Sequence, residues 1–194
     1  MGYGHLNIDE RPKVVNDRRR IGDWEGDTVE GRKGSGFIAT HVERKARYSV
    51  AVKVADKSAE TVIRATLDAM RKLPSEKVKT MTFDSGKEFA GFKELERGLD
   101  MRSYFARPYH SWERGTNENT NGLLRQFFPK GMDFGMVIKL DVDIALEQLN
   151  NRPRKCLNYP DTSGQRFSGA NPSVALQIKF RKYQMRHFYM GDTG

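Results

Sequence analysis

The chain has 194 residues, 37% of them hydrophobic, so it can bury one substantial core, whereas two independent domains would each be marginal. Its 34 basic and 25 acidic residues give a formal charge of +9, which favours a polyanionic partner such as nucleic acid. A single cysteine, Cys156, excludes a disulfide framework, and no apolar run approaches the roughly 20 residues that span a bilayer. The sequence therefore predicts a cytoplasmic, soluble protein with no membrane span.

The sequence divides into three parts where its composition changes. Residues 1–20 are polar and end in the arginine run 18–20, which predicts an extended N-terminal arm. That arm is either a solvated tail or a segment that follows DNA. Residues 21–159 carry the periodic patterns of a folded core, and residues 160–194 form a basic C-terminal extension.

Three strands and a helix open the predicted core. Runs rich in β-branched and aromatic residues, separated by turn-like segments, predict an antiparallel meander at residues 24–29, 37–42 and 48–54. Ser58 is a suitable N-cap for the helix that follows. Apolar residues at helical spacing then predict this helix up to Pro74.

The remainder of the core alternates between strands and helices. We predict strands at residues 78–83 and 101–106, and helices at residues 89–97, 117–128 and 140–149. A meander that continues through helical crossovers forms one mixed sheet with helices on its faces. The sequence therefore predicts an α/β fold of the ribonuclease-H-like class, with a five-stranded mixed sheet that combines an antiparallel meander with parallel crossovers.

Acidic residues interrupt the first predicted strand, in GDWEGDTV, although β structure disfavours them. The alternation of side chains puts Asp23, Glu25 and Asp27 on one face of this strand. Asp27 is therefore either a solvated surface group or a ligand where the sheet meets solvent.

Asp84 ends the strand VKTMTF and precedes the tight turn Ser85-Gly86. The carboxyl ends of strands in α/β sheets collect ligands, because side chains there point into a crevice edged by loops. An aspartate at this position also stabilises a turn through its own backbone hydrogen bond. The sequence is compatible with both roles.

The segment GTNENTNGLLRQFF predicts a helix with a polar stripe that contains Glu118, Asn121, Gly122 and Arg125. Such stripes are common on solvated helix faces. This one combines a carboxylate, a glycine that permits close approach, and a cation suited to phosphate. It is either a solvated face or part of a phosphate-handling site.

Three carboxylates on two strands and a helix suit a hard cation. Mg²⁺ takes carboxylate oxygens and keeps water molecules for the substrate and the nucleophile. Two such ions about 3.5–4 Å apart activate an attacking oxygen and stabilise the leaving oxygen in displacement at phosphorus.

Four stretches of the chain resemble the DDE transposase and retroviral integrase superfamily, and within it the bacterial insertion-sequence-thirty family. They are IGDWEGDTVEG, TFDSGKEFA, YHSWERGTNENTNGLLRQFFPKG and LEQLNNRPRKCLNY. The likeness extends over about residues 10–159, and its third stretch is long and highly specific. It implies a DNA-acting polynucleotidyl transferase with two Mg²⁺ or Mn²⁺ ions per site.

The resemblance implies that Asp27, Asp84 and Glu118 are the three catalytic, metal-binding acids. The 33 residues between Asp84 and Glu118 (118 − 84 − 1) fit the close spacing of the second and third acids in such triads. Three other acids compete with them. They are Asp23, which lies outside the match to the WEGD element, Glu88, which suits a role in supporting the turn, and Glu113, which lies in a loop.

The resemblance also implies DNA contacts around the triad. Asn121 and Arg125 are candidates for DNA-contacting or positioning residues. The other candidates lie in the loop before the helix and in the basic run after the last helix: His110, Trp112, Arg152, Arg154 and Lys155. His110 and Trp112 are also compatible with simple local packing. The expected partners are transposon-end and target DNA and further copies of the chain, in the bacterial cytoplasm at the nucleoid.

Two features depart from the family pattern. Full-length members carry a helix-turn-helix region ahead of the core, so we expect a fragment that lacks sequence-specific recognition of transposon ends. Residues 160–169, PDTSGQRFSG, replace an expected Thr-Pro step and an acidic-aliphatic-Phe element, and the pattern resumes at NPSVALQ. We hypothesise a pair of compensating frameshifts, which the neighbouring reading frame of the gene would reveal and which puts the activity of the intact element in doubt.

The implied chemistry has two steps and no covalent enzyme intermediate. Water cleaves the strand at the transposon end, and the freed 3′-hydroxyl attacks target DNA at the same site. Two alternatives stay open: a ribonuclease-H-like nuclease that does not join strands, and an inactive DNA-binding remnant of a transposase.

Overall fold

The computed structural model describes residues 4, 6–107 and 115–153. The strands are β1 (Leu6–Asn7), β2 (Asp23–Glu30), β3 (Phe37–Glu43), β4 (Ser49–Val54), β5 (Thr80–Phe83) and β6 (Arg102–Phe105). The α-helices are α1 (Lys13–Asn16), α2 (Ala59–Met70), α3 (Phe92–Leu99), α4 (Gly115–Leu124) and α5 (Lys139–Asn151). Every strand and helix predicted for the core is present, with ends that differ by a few residues.

All six strands form one mixed sheet in the order β1-β6-β5-β2-β3-β4. The pairs β2/β3 and β3/β4 are antiparallel, whereas β2/β5, β5/β6 and β1/β6 are parallel. Helices α2 and α3 provide the crossovers that parallel neighbours require. The predicted meander with parallel crossovers is confirmed, and the sheet has one strand more than the five predicted.

The additional strand lies in the segment predicted to be an extended arm. Leu6 and Asn7 pair with Tyr104 and Phe105 of β6, and Val15 in the short helix α1 is fully buried. The described part of residues 1–20 therefore contains a strand that pairs with β6 and a short helix with one buried valine. A strand of two residues is too short to produce a period in the sequence, because alternation needs several residues to become visible.

The helices form a layer on each face of the sheet. Ser58 caps α2 by accepting a hydrogen bond from Thr61 N at 3.3 Å, and the apolar side of α2 packs with α3 against one face. This core contains Trp24 and Phe83. Helices α4 and α5 cover the opposite face, where Leu124 belongs to a second core. In the described part of the chain, no helix is both long and apolar enough to cross a membrane.

A buried histidine makes the stability of this fold sensitive to pH. His41 on β3 is fully buried, and its Nε2 lies 3.2 Å from Thr66 Oγ1 of α2. Burial lowers the pKa of His41 from 6.5 to about 4, because the interior disfavours the charged ring. The unfolded chain therefore takes up a proton below pH 6.5, whereas the folded chain remains neutral at this residue until about pH 4.

We expect His41 to destabilise the fold by about 3 kcal/mol as the pH falls from 6.5 to 4, at ~1.4 kcal/mol per pKa unit. Urea denaturation of the wild type and of His41→Gln across this range isolates the contribution of this one group. The free energy of unfolding of the wild type should fall more steeply with acidification than that of the variant. Parallel pH profiles would contradict the prediction.

Candidate active site

Strand register brings Asp27 and Asp84 together. In the parallel pair β2/β5, Asp23 lies opposite Thr80 and Glu25 lies opposite Thr82. Two residues further along, Asp27 in β2 and Asp84 just after the end of β5 lie at the same end of these neighbouring strands, which are roughly 5 Å apart. Alternation along β2 directs the side chain of Asp27 toward the face that α4 covers, where it contacts Asn121.

Close packing of Phe83 explains why Gly26 lies between the acidic residues of β2. A Cβ at this position would lie 2.6 Å from Phe83 Cε1 and 3.3 Å from His41 Nδ1. The ring of Phe83 therefore packs directly against the backbone of β2. Because Phe83 immediately precedes Asp84, this close approach helps to fix where the second aspartate emerges from the sheet.

Asn121 of α4 orients the carboxylate of Asp27. Its Nδ2 donates to Asp27 Oδ2 at 3.0 Å, while its Oδ1 accepts a hydrogen bond from Thr40 Oγ1 at 2.9 Å. Asp27 Oδ1 accepts a further hydrogen bond from the backbone N–H of Thr28 at 2.8 Å. Asn121 therefore links Asp27 to Thr40, and its roles in positioning and in DNA contact stay predictions.

Asp84 caps the turn that follows β5. Its Oδ1 accepts a hydrogen bond from Gly86 N at 3.0 Å, as the turn-stabilising reading of the sequence predicts. A Cβ added to Gly86 would lie 2.8 Å from Asp84 Oδ1 and would overlap the carboxylate of Glu88. The carboxylates of Asp84 and Glu88 therefore flank the same glycine, and the turn and ligand roles of Asp84 are compatible.

Glu88 and Lys57 form an ion pair beside the two aspartates. Lys57 Nζ lies 2.7 Å from Oε1 of the buried Glu88, which also accepts from Thr28 Oγ1 at 3.2 Å. Burial alone would lower the pKa of Lys57. The hydrogen bond to Glu88 and the charges of Glu88, Asp84 and Asp27 outweigh that effect and raise the pKa. Sequence reasoning missed Lys57, which carries no local signature beyond its position after β4.

Glu118 lies in the first turn of α4 and is exposed. It is three residues before Asn121, so the two share one side of the helix. Within the described residues, no group of three Asp, Glu, His or Cys side chains is arranged to hold a metal ion. The structure therefore brings Asp27 and Asp84 together, and it places Glu118 on the adjoining helix without completing a three-carboxylate cluster.

A buried ion pair anchors the start of α4. Glu25 Oε1 accepts from Arg44 Nε at 2.9 Å, and Glu25 Oε2 accepts from the backbone N–H of Asn117 at 2.9 Å. Arg44 also donates to the carbonyl of Val15. Both charged side chains are almost completely buried, at 5% and 0% exposure. One ion pair thus joins β2, the turn after β3, α1 and the helix that carries Glu118.

Two candidate residues have structural contacts. Asp23 is buried, pairs with Arg20 at 3.0 Å and accepts from Thr80 Oγ1 at 2.8 Å, which suits a structural role. Arg125, which directly follows α4, donates to the backbone carbonyl of Glu30 at 2.8 Å and so links the end of this helix to the end of β2.

The remaining candidates either have few contacts or lie outside the described residues. Arg152 is exposed and lies 3.5 Å from Gln126 Oε1. A Cβ on Gly122 would meet nothing within 4 Å, so this glycine faces open space. The other candidates lie outside the described residues: His110, Trp112, Glu113, Arg154 and Lys155, together with the altered stretch 160–169.

Comparison with known families gives an independent view of this site. The integrase core domain matches residues 17–111, which include Asp27, Asp84, Glu88 and Lys57. Two curated relatives are similar over most of the chain. The transposase for insertion sequence element IS4351 of Bacteroides fragilis is 44% identical over 80% of this chain and 48% of its own length.

The second relative is transposase InsI for insertion sequence element IS30A of Escherichia coli (strain K12). It is 44% identical over 78% of this chain and 39% of its own length. The chain therefore spans about half or less of the length of these curated relatives.

Solved structures share the fold at low sequence identity. The simian T-cell lymphotropic virus intasome in complex with PP2A regulatory subunit B56 gamma matches with a TM-score of 0.62 and 19% identity, over 89% of this chain and 61% of that chain. The catalytic core domain of BIV integrase matches with a TM-score of 0.55 and 16% identity, over 87% and 99% of the two chains. These likenesses confirm the ribonuclease-H-like fold. The sequence matches show that residues 17–111 belong to the integrase core domain family and that the chain is similar to IS30-type insertion-sequence transposases.

Proposed function

We propose that this chain is the catalytic core of a DNA transposase, which cleaves DNA at transposon ends and transfers the 3′-hydroxyl strand to target DNA. The observation that carries the proposal is the parallel register of β2 and β5, in which Glu25 lies opposite Thr82. Asp27 and Asp84, two residues further along each segment, are therefore at the same end of neighbouring strands. The similarity to insertion-sequence transposases supports the choice of DNA as substrate.

The donor groups at this site suit a hard divalent cation. Asp27 and Asp84 offer carboxylate oxygens, which are the ligands that Mg²⁺ and Mn²⁺ prefer. We propose Asp27, Asp84 and Glu118 as the holders of two such ions. When bound, divalent ions would activate the attacking oxygen and stabilise the leaving oxygen of a phosphodiester.

The neighbouring residues have roles that follow from their contacts. Asn121 fixes one oxygen of Asp27 and leaves that carboxylate with a defined orientation. Lys57 offsets part of the negative charge that Asp27, Asp84 and Glu88 accumulate in one place. Because Glu118 is exposed, its side chain can change rotamer toward the aspartates without unpacking a core.

The proposed partners follow from the reaction. Two transposon ends must be brought to one target, so we propose that the active form contains more than one copy of the chain, associated with the bacterial nucleoid. The positive net charge of +9 suits a complex with two DNA duplexes.

A strand-joining assay tests this proposal. The full chain is incubated with labelled, pre-cleaved transposon ends of a related element and a supercoiled target plasmid, with Mg²⁺, with Mn²⁺, or with EDTA. We expect joined products that depend on the metal. Cleavage without joining would instead indicate a ribonuclease-H-like nuclease, and binding without either reaction would indicate an inactive DNA-binding remnant.

A further inference from the structure

One carboxylate oxygen of Glu88 connects three separate segments of the chain. Glu88 Oε1 accepts a hydrogen bond from Thr28 Oγ1 at 3.2 Å, and Lys57 Nζ lies 2.7 Å from the same oxygen. Thr28 belongs to β2, Lys57 lies between β4 and α2, and Glu88 lies in the segment after β5. The side chain of Glu88 is only 6% exposed, whereas that of Lys57 is 46% exposed. Lys57 therefore reaches this buried oxygen from the solvent side.

The residues that contact Glu88 also hold the two aspartates. The backbone N–H of Thr28 donates to Asp27 Oδ1 at 2.8 Å, and that of Gly86 donates to Asp84 Oδ1 at 3.0 Å. A Cβ on Gly86 would overlap Glu88 Oε2 and would lie 2.8 Å from Asp84 Oδ1, so these two carboxylates approach each other across the glycine. Thr28 and Gly86 thus each connect Glu88 to one of the aspartates.

Glu88 lies on the side of the sheet opposite to the one where Asp27 meets α4. Asp27 contacts Asn121 of α4, whereas alternation along β2 directs Thr28, the next residue, toward the other face. Thr28 donates to Glu88 there, and the segment that carries Glu88 packs against α2. The carboxylate of Glu88 is therefore behind Asp27 rather than beside it, which suits a supporting role better than metal binding.

Asp84 and Glu88 need a nearby cation if both carboxylates are to stay ionised. Like charges that lie close together repel each other, and a buried carboxylate without a partner carries a large desolvation cost. Lys57 supplies the opposite charge through its ion pair with Glu88. The exposed Asp56, next to Lys57, instead accepts a hydrogen bond from Ser58 N at 2.8 Å at the start of α2.

We propose that Lys57 is a positioning residue that acts through Glu88 to set the placement of Asp27 and Asp84, and that Glu88 itself binds no metal. The inference rests on the proposed function, because it takes the two aspartates as metal ligands. Replacing the outer partners of metal ligands typically changes metal affinity by about 10–100-fold. The charge of Lys57 alone has the opposite effect, since an ammonium group near a dication weakens its binding. The sign of the change therefore separates positioning from simple electrostatics.

The test measures binding of Mn²⁺ to the full chain without DNA, from the loss of the electron paramagnetic resonance signal of the free ion. Lys57→Met should weaken binding at least about tenfold, and Lys57→Arg, which can keep the ion pair, should stay within about threefold of the wild type. Binding that persists in Asp84→Asn is background from other acidic side chains. The control Lys93→Met breaks another lysine–glutamate pair, with Glu96 at 3.0 Å on α3, and should leave the affinity unchanged.

A double-mutant cycle tests whether Lys57 acts through Glu88. The double variant Lys57→Met/Glu88→Gln should bind Mn²⁺ no more weakly than the weaker of the two single variants, because each change removes the same contact. Additive losses would overturn the inference. Loss of binding in Glu88→Gln with Lys57→Met close to the wild type would make Glu88 a ligand, and would also overturn it. So would equal or tighter binding in Lys57→Met.

Two further outcomes separate this inference from the proposed function. Lys57→Met leaves Glu88 unpaired, and circular dichroism shows whether that variant folds. If it does not, the double variant, which has no unpaired charge, is compared with Glu88→Gln: equal affinities are expected, and weaker binding in the double variant would overturn the inference alone. A wild type that does not bind Mn²⁺ would contradict the proposed function, and with it this inference.

Discussion

Replacing Asp84 by asparagine should abolish metal-dependent cleavage and joining of DNA. The change preserves the shape of the side chain and its oxygen acceptor, so the hydrogen bond from Gly86 N can persist. It removes the negative charge of a carboxylate that we propose as a metal ligand together with Asp27. The loss of several kcal/mol of transition-state stabilisation corresponds to a rate decrease of at least about a thousand-fold.

Joining of pre-cleaved ends in Mg²⁺ measures the rate, and anisotropy measures DNA affinity in the same preparations. Affinity should be unchanged or higher, because a negative charge near phosphate has been removed. Asp68→Asn is the matched control, since Asp68 is exposed on α2 and should leave the rate unchanged. Strand cleavage that persists in Asp84→Asn would remove Asp84 from the site.

Replacing Arg44 by alanine should destabilise the fold by about 3–5 kcal/mol, because it leaves the buried carboxylate of Glu25 without its partner. It also removes the hydrogen bond from Arg44 to Val15 and thus a link between α1 and β3. Domains of this kind are stable by only about 5–15 kcal/mol, so the effect is a large fraction of the total.

Urea denaturation measures this loss as a shift of the midpoint at constant slope. Arg64→Ala is the matched control: Arg64 pairs with Glu60 at 3.0 Å, but both side chains are exposed, at 73% and 79%. Exposed pairs contribute less than about 1 kcal/mol, so this variant should be close to the wild type. Equal losses in the two arginine variants would show that burial of the Glu25–Arg44 pair has no special importance.

Periodic segments were predictable from the sequence, whereas short and polar ones were not. The run after Ser58 has apolar residues at helical spacing, and α2 begins at Ala59 as predicted. Strand β1 has two residues and α1 has four, so neither is long enough to show a period. β1 is held in place by pairing with β6, and α1 by the hydrogen bond from Arg44 to Val15. Both are contacts between residues distant in sequence.

The residues of the candidate site also divide into those that the sequence could predict and those that it could not. Asp27 and Asp84 lie at the same end of β2 and β5 because these strands are parallel neighbours, and the order of elements together with the family resemblance pointed to this pair. Lys57 pairs with Glu88, which is 31 residues away (88 − 57). Glu25 accepts from the backbone of Asn117, which is 92 residues away (117 − 25). Pairings over such distances depend on tertiary structure, and a single sequence carries no local sign of them.

Helix α4 is attached to the sheet by two kinds of interaction. It ends in Leu124, which packs in an apolar core, whereas Asn117 and Asn121, further toward its amino-terminal end, contact Thr40 of the sheet. Within the described residues, Nδ2 of the fully buried Asn117 has no hydrogen-bond partner, which costs about 1–3 kcal/mol. The amino-terminal turn carries Glu118 and is held by the hydrogen bond from Asn117 N to the buried Glu25, so the position of Glu118 depends on an ion pair inside the protein rather than on apolar packing.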